Sequence, residues 1–491
     1  MKKLLYVFLA AMLLVCLSSF ALAENSIVAT TGVSHVNVQY WQVDVLILEY
    51  AEDVTLPEGD PTQLYTVTDY GIANLTYIPS ALADTMTSDV AEITAVYTND
   101  APEAREDKTS VPGKYVVIEL ANIDHFKYVE KDGQQVRTSN HLAAIMGART
   151  TGYLGKKDYI RKDYSQLEIK QNAEIAGVPA GTVAPELYYV NIRNVLADEF
   201  THVDFPSSRG NRIYLDYYVP EGHTEKDLPL VVVCHGGGGT VNYDPKTGEP
   251  TNLSSQLNRR IVTGWLDSAP EDVAVVVLQR GSDDHEAEAK NIVETVELME
   301  NHFPIDPSRV ILICSSAGYH SSRDALMLRP DLFSVYVPGN CHVFDYTCKP
   351  EEMVADQAQV QYIKDNTVTA DYLWNELKLI DPSEYLEATF AASNLQGVID
   401  NEVAIYVQNG INDKTANSYK PITTYTVFRE AYRSRGYSDE EIDKLVKIDL
   451  YDDDFFLQFG ITNFHNSLKA SMENPDFING VLELTKRERV K

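Results

Sequence analysis

Two patterns of hydrophobic and polar positions divide the chain into parts of different character. Between about 28 and 180, short segments rich in Val, Ile, Thr and Tyr often alternate apolar with polar residues, and Pro, Gly, Asp and Asn separate them. Such alternation indicates strands with one buried face, and many short strands are typical of a sandwich. We therefore predict an all-β domain at 24–185, interrupted by a short helix or loop at 138–163, with strands in VNVQYWQVDVLILEY, LYTVTDYGI, AEITAVYTN, KYVVIELAN and YSQLEIKQ.

From about 190 the strands become compact and almost uniformly apolar. Runs of this kind fit a parallel sheet that is covered on both faces. Helical patterns lie between several of them, at 286–302, 375–388 and 426–446, and alternating strands and helices predict a doubly wound α/β domain at 186–491. Its predicted strands are LPLVVVCHG, VAVVVLQRG, RVILICSS, SVYVPGN, VAIYVQNG and VKIDLYD. Ligands bind at the carboxyl ends of such strands, so chemistry is expected directly after these runs.

The first 23 residues have the pattern of a secretory signal peptide. Two lysines precede an almost wholly apolar run at 4–20, and Ala21-Leu22-Ala23 has the small-x-small form of a cleavage site. A membrane anchor is the alternative, but the small residues and the lack of a following basic stop favour cleavage. No later segment has the ~18 unbroken apolar residues that span a bilayer. We expect a secreted protein without a membrane segment after cleavage.

Charge and cysteine usage narrow the partners and cofactors. The formal net charge is −31, and removal of two lysines with the signal leaves 39 basic and 72 acidic residues, or −33. Such a chain repels nucleic acid and anionic membranes. No metal or nucleotide motif is present, so we predict neither a metal nor another cofactor. Of the four remaining cysteines, Cys341 and Cys348 could close a short loop, whereas Cys234 and Cys314 resemble small buried side chains.

A glycine run follows the first apolar strand of the α/β part. His235 precedes four glycines, 236–239. Glycines at a strand end permit unusual backbone conformations and let a ligand approach the N–H groups. An H-G-G-G run in this position is typical of an oxyanion loop, which donates hydrogen bonds to a developing negative oxygen. The alternative is a flexible turn. We predict Gly237 and Gly238 as oxyanion donors.

A candidate nucleophile follows the strand RVILIC. The signature of an exposed serine at a strand-to-helix turn is G-x-S-x-G. Ser316 has Gly318 two residues on, whereas Ser315 would need a glycine where Ala317 stands. Cys314 replaces the first glycine of the signature and is still small. We predict Ser316 as the nucleophile and the N–H of Ala317 as an oxyanion donor.

An acid and a base follow the last two strands. Asp413 comes after VAIYVQNG, where a carboxylate can hold a histidine in one tautomer, and His465 comes after the final strand. The order serine, acid, histidine is that of α/β-hydrolases. The alternatives to Asp413 are Asp452, Asp453 and Asp454, and the alternatives to His465 are His285 and His320.

These motifs together resemble the α/β-hydrolase superfamily, and more narrowly the secreted bacterial esterases related to feruloyl esterases and polyhydroxybutyrate depolymerases. The resemblance rests on LPLVVVCHGGGG, FPIDPSRVILICSSAG, NGIND and FHNS and spans about 190–491. The region around GKYVVIELAN more loosely resembles the immunoglobulin-like domain that precedes some of these esterases. The resemblance implies hydrolysis of a carboxylic ester through an acyl-enzyme, without a cofactor. The cysteine at 314 departs from the pattern.

The predicted function is a secreted serine esterase, with acetyl or feruloyl esters of carbohydrates as substrates by family analogy. Two alternatives remain, a serine peptidase of the same fold and a degenerate binding protein without activity. A cap over the substrate site is expected at 345–400, with Tyr346, Tyr372, Trp374 and Tyr385. The sequence leaves open which acyl group is bound and whether the chain forms a homo-oligomer.

Overall fold

The computed structural model describes most of the chain in two compact units. One unit is built from most of the chain up to Asn194, and the other includes everything described from Val195 onward. The described residues are 25–36, 41–69, 89–121, 126–131, 134–139, 167–187, 191–208, 212–236, 257, 259–280, 284–341, 343–344, 356–365, 368–369, 372–376, 395–416, 419–459, 461 and 463–487. The predicted signal peptide at 1–23 lies outside them.

The first unit is all β, as predicted. A five-stranded sheet has the order β10-β1-β2-β6-β5, a three-stranded sheet has the order β4-β3-β9, and β7 and β8 form a hairpin. The strands are β1 Ile27–Val36, β2 Trp41–Val54, β3 Tyr65–Asp69, β4 Asp89–Val90, β5 Ile93–Asn99, β6 Gly113–Leu120, β7 Phe126–Lys131, β8 Gln134–Ser139, β9 Leu167–Gln171 and β10 Ile192–Asn194.

Apolar side chains from both larger sheets form one core in this unit. Leu46 and Leu48 of β2 and Ile118 of β6 pack with Val67 of β3 and Ile169 of β9, and all five are buried. Side chains of alternate residues point to the same face of a strand, so the alternating segments supply this shared layer. The predicted strands are confirmed, and β1, β4, β7, β8 and β10 are additional. The predicted interruption at 138–163 begins within β8 and otherwise lies outside the described residues.

The second unit contains the predicted doubly wound, mostly parallel sheet. Its eight strands have the order β11-β12-β14-β13-β15-β16-β17-β18. The first two are antiparallel to their neighbours, and the remaining pairs are parallel. The strands are β11 Thr201–Pro206, β12 Arg212–Tyr218, β13 Leu228–Cys234, β14 Ala274–Gln279, β15 Ile305–Ser315, β16 Val335–Gly339, β17 Ala404–Gly410 and β18 Val446–Tyr451.

The central strands of this sheet are covered on both faces. Every residue of β13, β14, β16 and β17 is buried, which explains why their sequences do not alternate. All six predicted strands are confirmed. The two antiparallel strands, β11 and β12, are additional, because their mixed polar and apolar residues resemble the pattern of the first unit.

Ten helices accompany the sheet within the described ranges. They are α1 Arg260–Ser268, α2 His285–His302, α3 Tyr319–Leu328, α4 Gln357–Asp365, α5 Leu395–Asp400, α6 Tyr419–Ser434, α7 Asp439–Leu445, α8 Asp453–Leu457, α9 Ser467–Ser471 and α10 Pro475–Thr485. The predicted helix at 286–302 is α2, and its predicted apolar face, Ile292, Val296 and Met299, is buried. None of the described helices is both long enough and apolar enough to cross a bilayer.

The predicted single helix at 426–446 is wrong. The structure has α6 and α7 there, and Gly436 between them has a φ of +87°, which a glycine adopts without strain. Ser438 then starts α7 with a capping box, accepting from the Glu441 N–H while the Glu441 side chain accepts from the Ser438 N–H. The predicted helix at 375–388 lies almost wholly outside the described residues.

The predicted cap falls in the insertion between β16 and β17. We use inserted segment for residues 345–400. Its described parts are 356–365, 368–369, 372–376 and 395–400, which include α4 and α5. Tyr346 and Tyr385 lie outside the described residues, as does the side chain of Trp374. The ring of Tyr372 contacts that of Tyr362 at a tilt of 37°, with ring centroids 4.9 Å apart.

Candidate active site

The turn after β15 has a strained backbone at its serine. Residues Ser316–Gly318 form a 3₁₀ turn that leads into α3. Ser316 has a φ of +47°, in the left-handed region that costs a residue with a Cβ free energy. Gly318 is required by close approach, because a Cβ there would lie 2.5 Å from the carbonyl oxygen of Cys234. The turn is therefore packed directly against the end of β13.

The two adjacent serines have different partners. The Ser315 hydroxyl contacts the side chain of Asn340, which donates to it from Nδ2 at 3.2 Å. Asn340 is buried and itself has a left-handed φ of +42° at the end of β16. Ser316 instead lies within hydrogen-bond distance of His465. The role of Asn340 was not predicted, and its only sequence signal is a polar residue directly after an apolar strand.

A tight turn after β17 carries Asp413. Its backbone N–H donates to the Gly410 carbonyl at 3.2 Å. Its side-chain Oδ1 accepts from the N–H groups of Thr415 and Ala416, at 2.7 and 2.9 Å. The side chain is fully buried. Two backbone donors therefore fix one carboxylate oxygen and leave Oδ2 for the histidine.

His465 joins the acid to the serine. Its Nδ1 lies 2.7 Å from Oδ2 of Asp413, and its Nε2 lies 2.9 Å from Oγ of Ser316. The ring lies on a 3₁₀ turn that Asn463 caps by accepting the His465 N–H at 3.2 Å. Gly410 permits the close approach, because a Cβ there would lie 2.7 Å from the Phe464 carbonyl oxygen. The structure thus brings the three predicted residues into one hydrogen-bonded chain.

Four of the five alternative residues have other partners. Asp452 caps α8 by accepting from the Phe455 N–H, and Asp453 accepts from the side chain of Asn412. His285 and His320 stack on each other with ring centroids 4.3 Å apart and planes 8° apart. Among the described hydrogen bonds, the carboxylate that reaches the His465 ring is that of Asp413.

His235 fixes the start of the glycine loop. Its Nε2 accepts from the Arg280 N–H at 3.0 Å, so Nδ1 carries the proton and donates to the Gly236 carbonyl at 2.7 Å. Burial lowers the pKa of His235 to about 3, so the ring is neutral. A Cβ on Gly236 would lie 3.1 Å from Cβ of Ser316. The glycine loop therefore begins beside the candidate nucleophile.

The predicted oxyanion donors are only partly described. Ala317 follows Ser316 in the 3₁₀ turn, and its role as an oxyanion donor stays a prediction. Gly237 and Gly238 lie outside the described residues. The hydrogen bonds by which His235 holds the start of the glycine loop were not predicted. Their sequence signal was a histidine between a buried strand and a glycine run.

Cys314 lies in a buried cluster under the turn. Its Sγ is 3.5 Å from Oη of Tyr336 and 3.9 Å from Sγ of Cys341, and Tyr336 also contacts the Ser322 hydroxyl at 3.2 Å. Cys341 is a free thiol, which contradicts a loop with Cys348; Cys348 itself lies outside the described residues. Cys234 pairs with Cys314 in the β13–β15 register, and both are free. Burial raises the pKa of Cys341 well above its usual range, so it is a neutral thiol.

The arrangement can transfer a proton from a hydroxyl to an imidazole that a buried carboxylate orients. Such a unit activates serine for attack on a carbonyl carbon. Among the residues that the structure describes, no cluster of three or more His, Cys, Asp or Glu side chains could hold a metal ion.

Comparisons with known proteins match the fold. Residues 29–183 match the family model of the esterase Ig-like N-terminal domain. A crystal structure of a thermostable esterase is 15% identical, with a TM-score of 0.55, and the match covers 93% of this chain and 99% of that one. At this identity the likeness shows the fold alone. The chain therefore has an immunoglobulin-like N-terminal domain followed by a domain of the α/β-hydrolase fold, as predicted.

Two other solved structures match less of the fold. A ferulic acid esterase is 12% identical with a TM-score of 0.33, and the match covers 57% of this chain and 98% of that one. An acylaminoacyl peptidase from Pyrococcus horikoshii is 15% identical with a TM-score of 0.34, covering 59% and 42% of the two chains. A comparison with curated protein sequences gives no match.

Proposed function

We propose that this protein is a serine hydrolase that cleaves carboxylic esters through an acyl-enzyme on Ser316. The observation that carries the proposal is the chain of hydrogen bonds Ser316–His465–Asp413, with heavy-atom distances of 2.9 and 2.7 Å. The left-handed φ of Ser316 supports it, because backbone strain of this kind accumulates at functional sites.

In the first half of the proposed reaction, Ser316 Oγ attacks the ester carbonyl carbon while His465 Nε2 takes the hydroxyl proton. The carbonyl π electrons move to its oxygen, and the N–H of Ala317 and those of Gly237 and Gly238 stabilise the oxyanion. Each such donor contributes about 2.7 to 4 kcal/mol. The C–O bond to the alcohol then breaks, and His465 returns the proton to the leaving oxygen.

In the second half, water replaces the serine as the nucleophile. His465 takes a proton from the water, the hydroxide oxygen bonds to the acyl carbon, and the bond to Ser316 breaks with return of the proton to Oγ. Asp413 orients the His465 ring and stabilises the imidazolium that forms twice in each cycle. Its buried carboxylate, held by two backbone donors, is suited to this role.

The proposed substrates are carboxylic esters, including acyl or feruloyl esters of carbohydrates. This narrower assignment comes from the likeness to esterases and from the expected export of the chain through the signal peptide at 1–23. The acidity of the chain supports an uncharged or polysaccharide-linked substrate over an anionic polymer. Assembly into a homo-oligomer stays open as part of the proposal.

One assay separates the proposal from its rivals. The full chain is incubated with p-nitrophenyl acetate and with an aminoacyl-proline p-nitroanilide. The S316A variant is assayed with the same two substrates. We expect ester turnover that S316A abolishes and little amide turnover. Faster amide cleavage would favour a peptidase, and absence of both activities would favour a binding protein. The S315A variant is the matched control, and its ester turnover should persist.

A fluorophosphonate label gives a second test of the nucleophile. The reagent should modify Ser316, and peptide mapping locates the labelled residue. A label on Ser315 would contradict the assignment.

A further inference from the structure

Asn412 precedes the acid of the site and bonds to two other parts of the fold. Its side chain is buried. Oδ1 accepts from the Val368 N–H at 3.1 Å, while Nδ2 donates to the Val368 carbonyl at 3.2 Å and to Oδ1 of Asp453 at 2.8 Å. Both amide protons and the acceptor oxygen are used, so the side chain cannot rotate without losing bonds.

We propose that Asn412 is a positioning residue through which the inserted segment sets the alignment of Asp413 with His465. The inference rests on the proposed function, because it assigns Asn412 a role in that reaction. Val368 belongs to the inserted segment, and both its backbone N–H and its carbonyl bond to the residue next to the acid.

The contact with Val368 is protected from water. Val360 and Val368 of the inserted segment pack with Ile411 and Ile422 in one buried apolar cluster. Ile411 lies in the turn of residues 410–413, which we call the acid turn. Its N–H donates to the Tyr451 carbonyl at 2.9 Å. A hydrogen bond shielded in this way is costly to lose, because the buried groups would remain without partners. The packing of Val360 and Val368 is therefore coupled to the position of the acid turn.

The contact with Asp453 extends the coupling to the base. Asp453 is the first residue of α8, and Phe456 of the same helix packs against Phe464 with ring centroids 5.2 Å apart. Phe464 directly precedes His465. Phe456 also lies against the Gly410 backbone, where the acid turn starts. A movement of Asn412 therefore acts on the supports of both members of the Asp413–His465 pair.

The test compares isosteric variants of the full chain. N412D keeps the acceptor for Val368 but loses both donors and sets a second carboxylate beside Asp453. The double variant N412D/D453N restores the bond between residues 412 and 453, with residue 453 now the donor and residue 412 the acceptor. N401D is the matched control, because Asn401 donates from Nδ2 to the Gly397 carbonyl at 2.8 Å, at the end of α5. The readouts are kcat and KM for p-nitrophenyl acetate and the strongly deshielded proton NMR signal of His465 Nδ1–H.

We expect N412D to lower kcat by about 10- to 100-fold, since a displacement of about 1 Å at a catalytic group has this effect. KM should change little, because the substrate does not contact Asn412. The double variant should recover part of the lost kcat, and N401D should behave as the wild type. A kcat of N412D equal to that of N401D, a change in KM alone, or strictly additive losses in the double variant would overturn the proposal.

A second variant keeps the test decisive if N412D does not fold. V368A loosens the inserted segment while leaving every bonding atom of Asn412 in place. V398A is its control, because Val398 is equally buried in α5 but belongs to the main core of the sheet. V368A should lower kcat and broaden the His465 signal, whereas V398A should lower stability alone. A normal kcat and a normal signal in V368A would refute the coupling.

The proposed function can fail independently of this inference. A wild type without ester turnover would refute the function, and the His465 signal would still report whether N412D disturbs the Asp413–His465 pair. A fully active wild type with an unchanged signal in N412D would refute the inference alone.

Discussion

The two units each contain a chain of three hydrogen-bonded polar side chains. In the first unit Tyr65, Tyr50 and Gln171 are linked at 2.7 and 2.5 Å. In the second, Ser316, His465 and Asp413 are linked at 2.9 and 2.7 Å. The bond lengths do not distinguish the two chains, so the difference lies in where each chain is placed and in what surrounds it.

The tyrosine chain is closed. All three of its residues are almost wholly buried within regular strands, and Gln171 Nε2 ends the chain on backbone carbonyls of the 173–179 turn. Burial raises the pKa of Tyr50 to about 12, so the chain stays neutral. It stabilises the fold by satisfying polar groups between two sheets and has no end at which a reactant could bind.

The serine chain is open at one end. Ser316 lies directly after β15 and Asp413 soon after β17, Ser316 has a left-handed backbone, and the His465 side chain remains 19% exposed. Two glycines, Gly318 and Gly410, permit backbone contacts that a Cβ would prevent. The comparison shows that strain, close backbone approach and partial exposure, rather than the hydrogen bonds themselves, distinguish a candidate active site from a structural network.

The largest expected effect comes from breaking the open chain. D413N should lower kcat for p-nitrophenyl acetate by about 10⁴-fold, because the amide would favour the wrong tautomer of His465. H465A should remove nearly all turnover, and circular dichroism should show an intact fold in both. Near-normal activity in D413N together with loss of activity in D454N would show that Asp413 is not the acid.

A smaller effect is expected from the glycine that supports the turn. G318A would set a Cβ against the Cys234 carbonyl, so we expect the turn to move and kcat to fall by about 100-fold. The control in the first unit is G181A, where the φ of +87° imposes strain but no atom lies within 4 Å. It should cost about 1 to 2 kcal/mol of stability without loss of activity. Equal kcat values for the two variants would contradict the argument.

The neutral His235 predicts a dependence of stability on pH. Its pKa is about 3 in the folded state and about 6.5 when unfolded, so the unfolded state binds more protons between these values. The stabilisation is complete above pH 6.5 and is lost as the pH falls towards 3, by about 1.4 kcal/mol per pH unit. Between pH 7.5 and 5, urea unfolding should therefore show a loss about 2 kcal/mol larger in the wild type than in H235N. Equal losses would mean that His235 is accessible to protons in the folded state.

The smallest effect on catalysis is expected in the closed chain. Y50F removes the hydroxyl that joins Tyr65 to Gln171 and leaves buried partners unsatisfied, so the free energy of unfolding of the first unit should fall by about 1 to 3 kcal/mol. The kcat for p-nitrophenyl acetate should not change. A large loss of kcat in a folded Y50F protein would remove the distinction between the two chains.

Much of the fold followed from the sequence because it depends on local patterns. Uniformly apolar runs such as β13 and β17 could only be buried on both faces, and the alternating segments of the first unit could only be buried on one. Polar residues that follow apolar strands at 235, 316 and 413 were expected at one edge for the same reason. The strands β11 and β12 were not predicted, because they mix polar and apolar residues in the way of the first unit and not of the parallel sheet.

The tertiary structure decided which of several similar residues come together. Ser315 and Ser316 are adjacent in sequence, but only the backbone at the end of β15 directs one to Asn340 and the other to His465. Asp413 and Asp453 have the same side chain, yet one reaches the histidine and the other binds Asn412. The sulfur of Cys314 lies beside Cys341. These pairings depend on distances between residues that are far apart in the chain. The sequence pattern determines which side chains lie at a strand end, but only the tertiary structure determines which of them are in contact there.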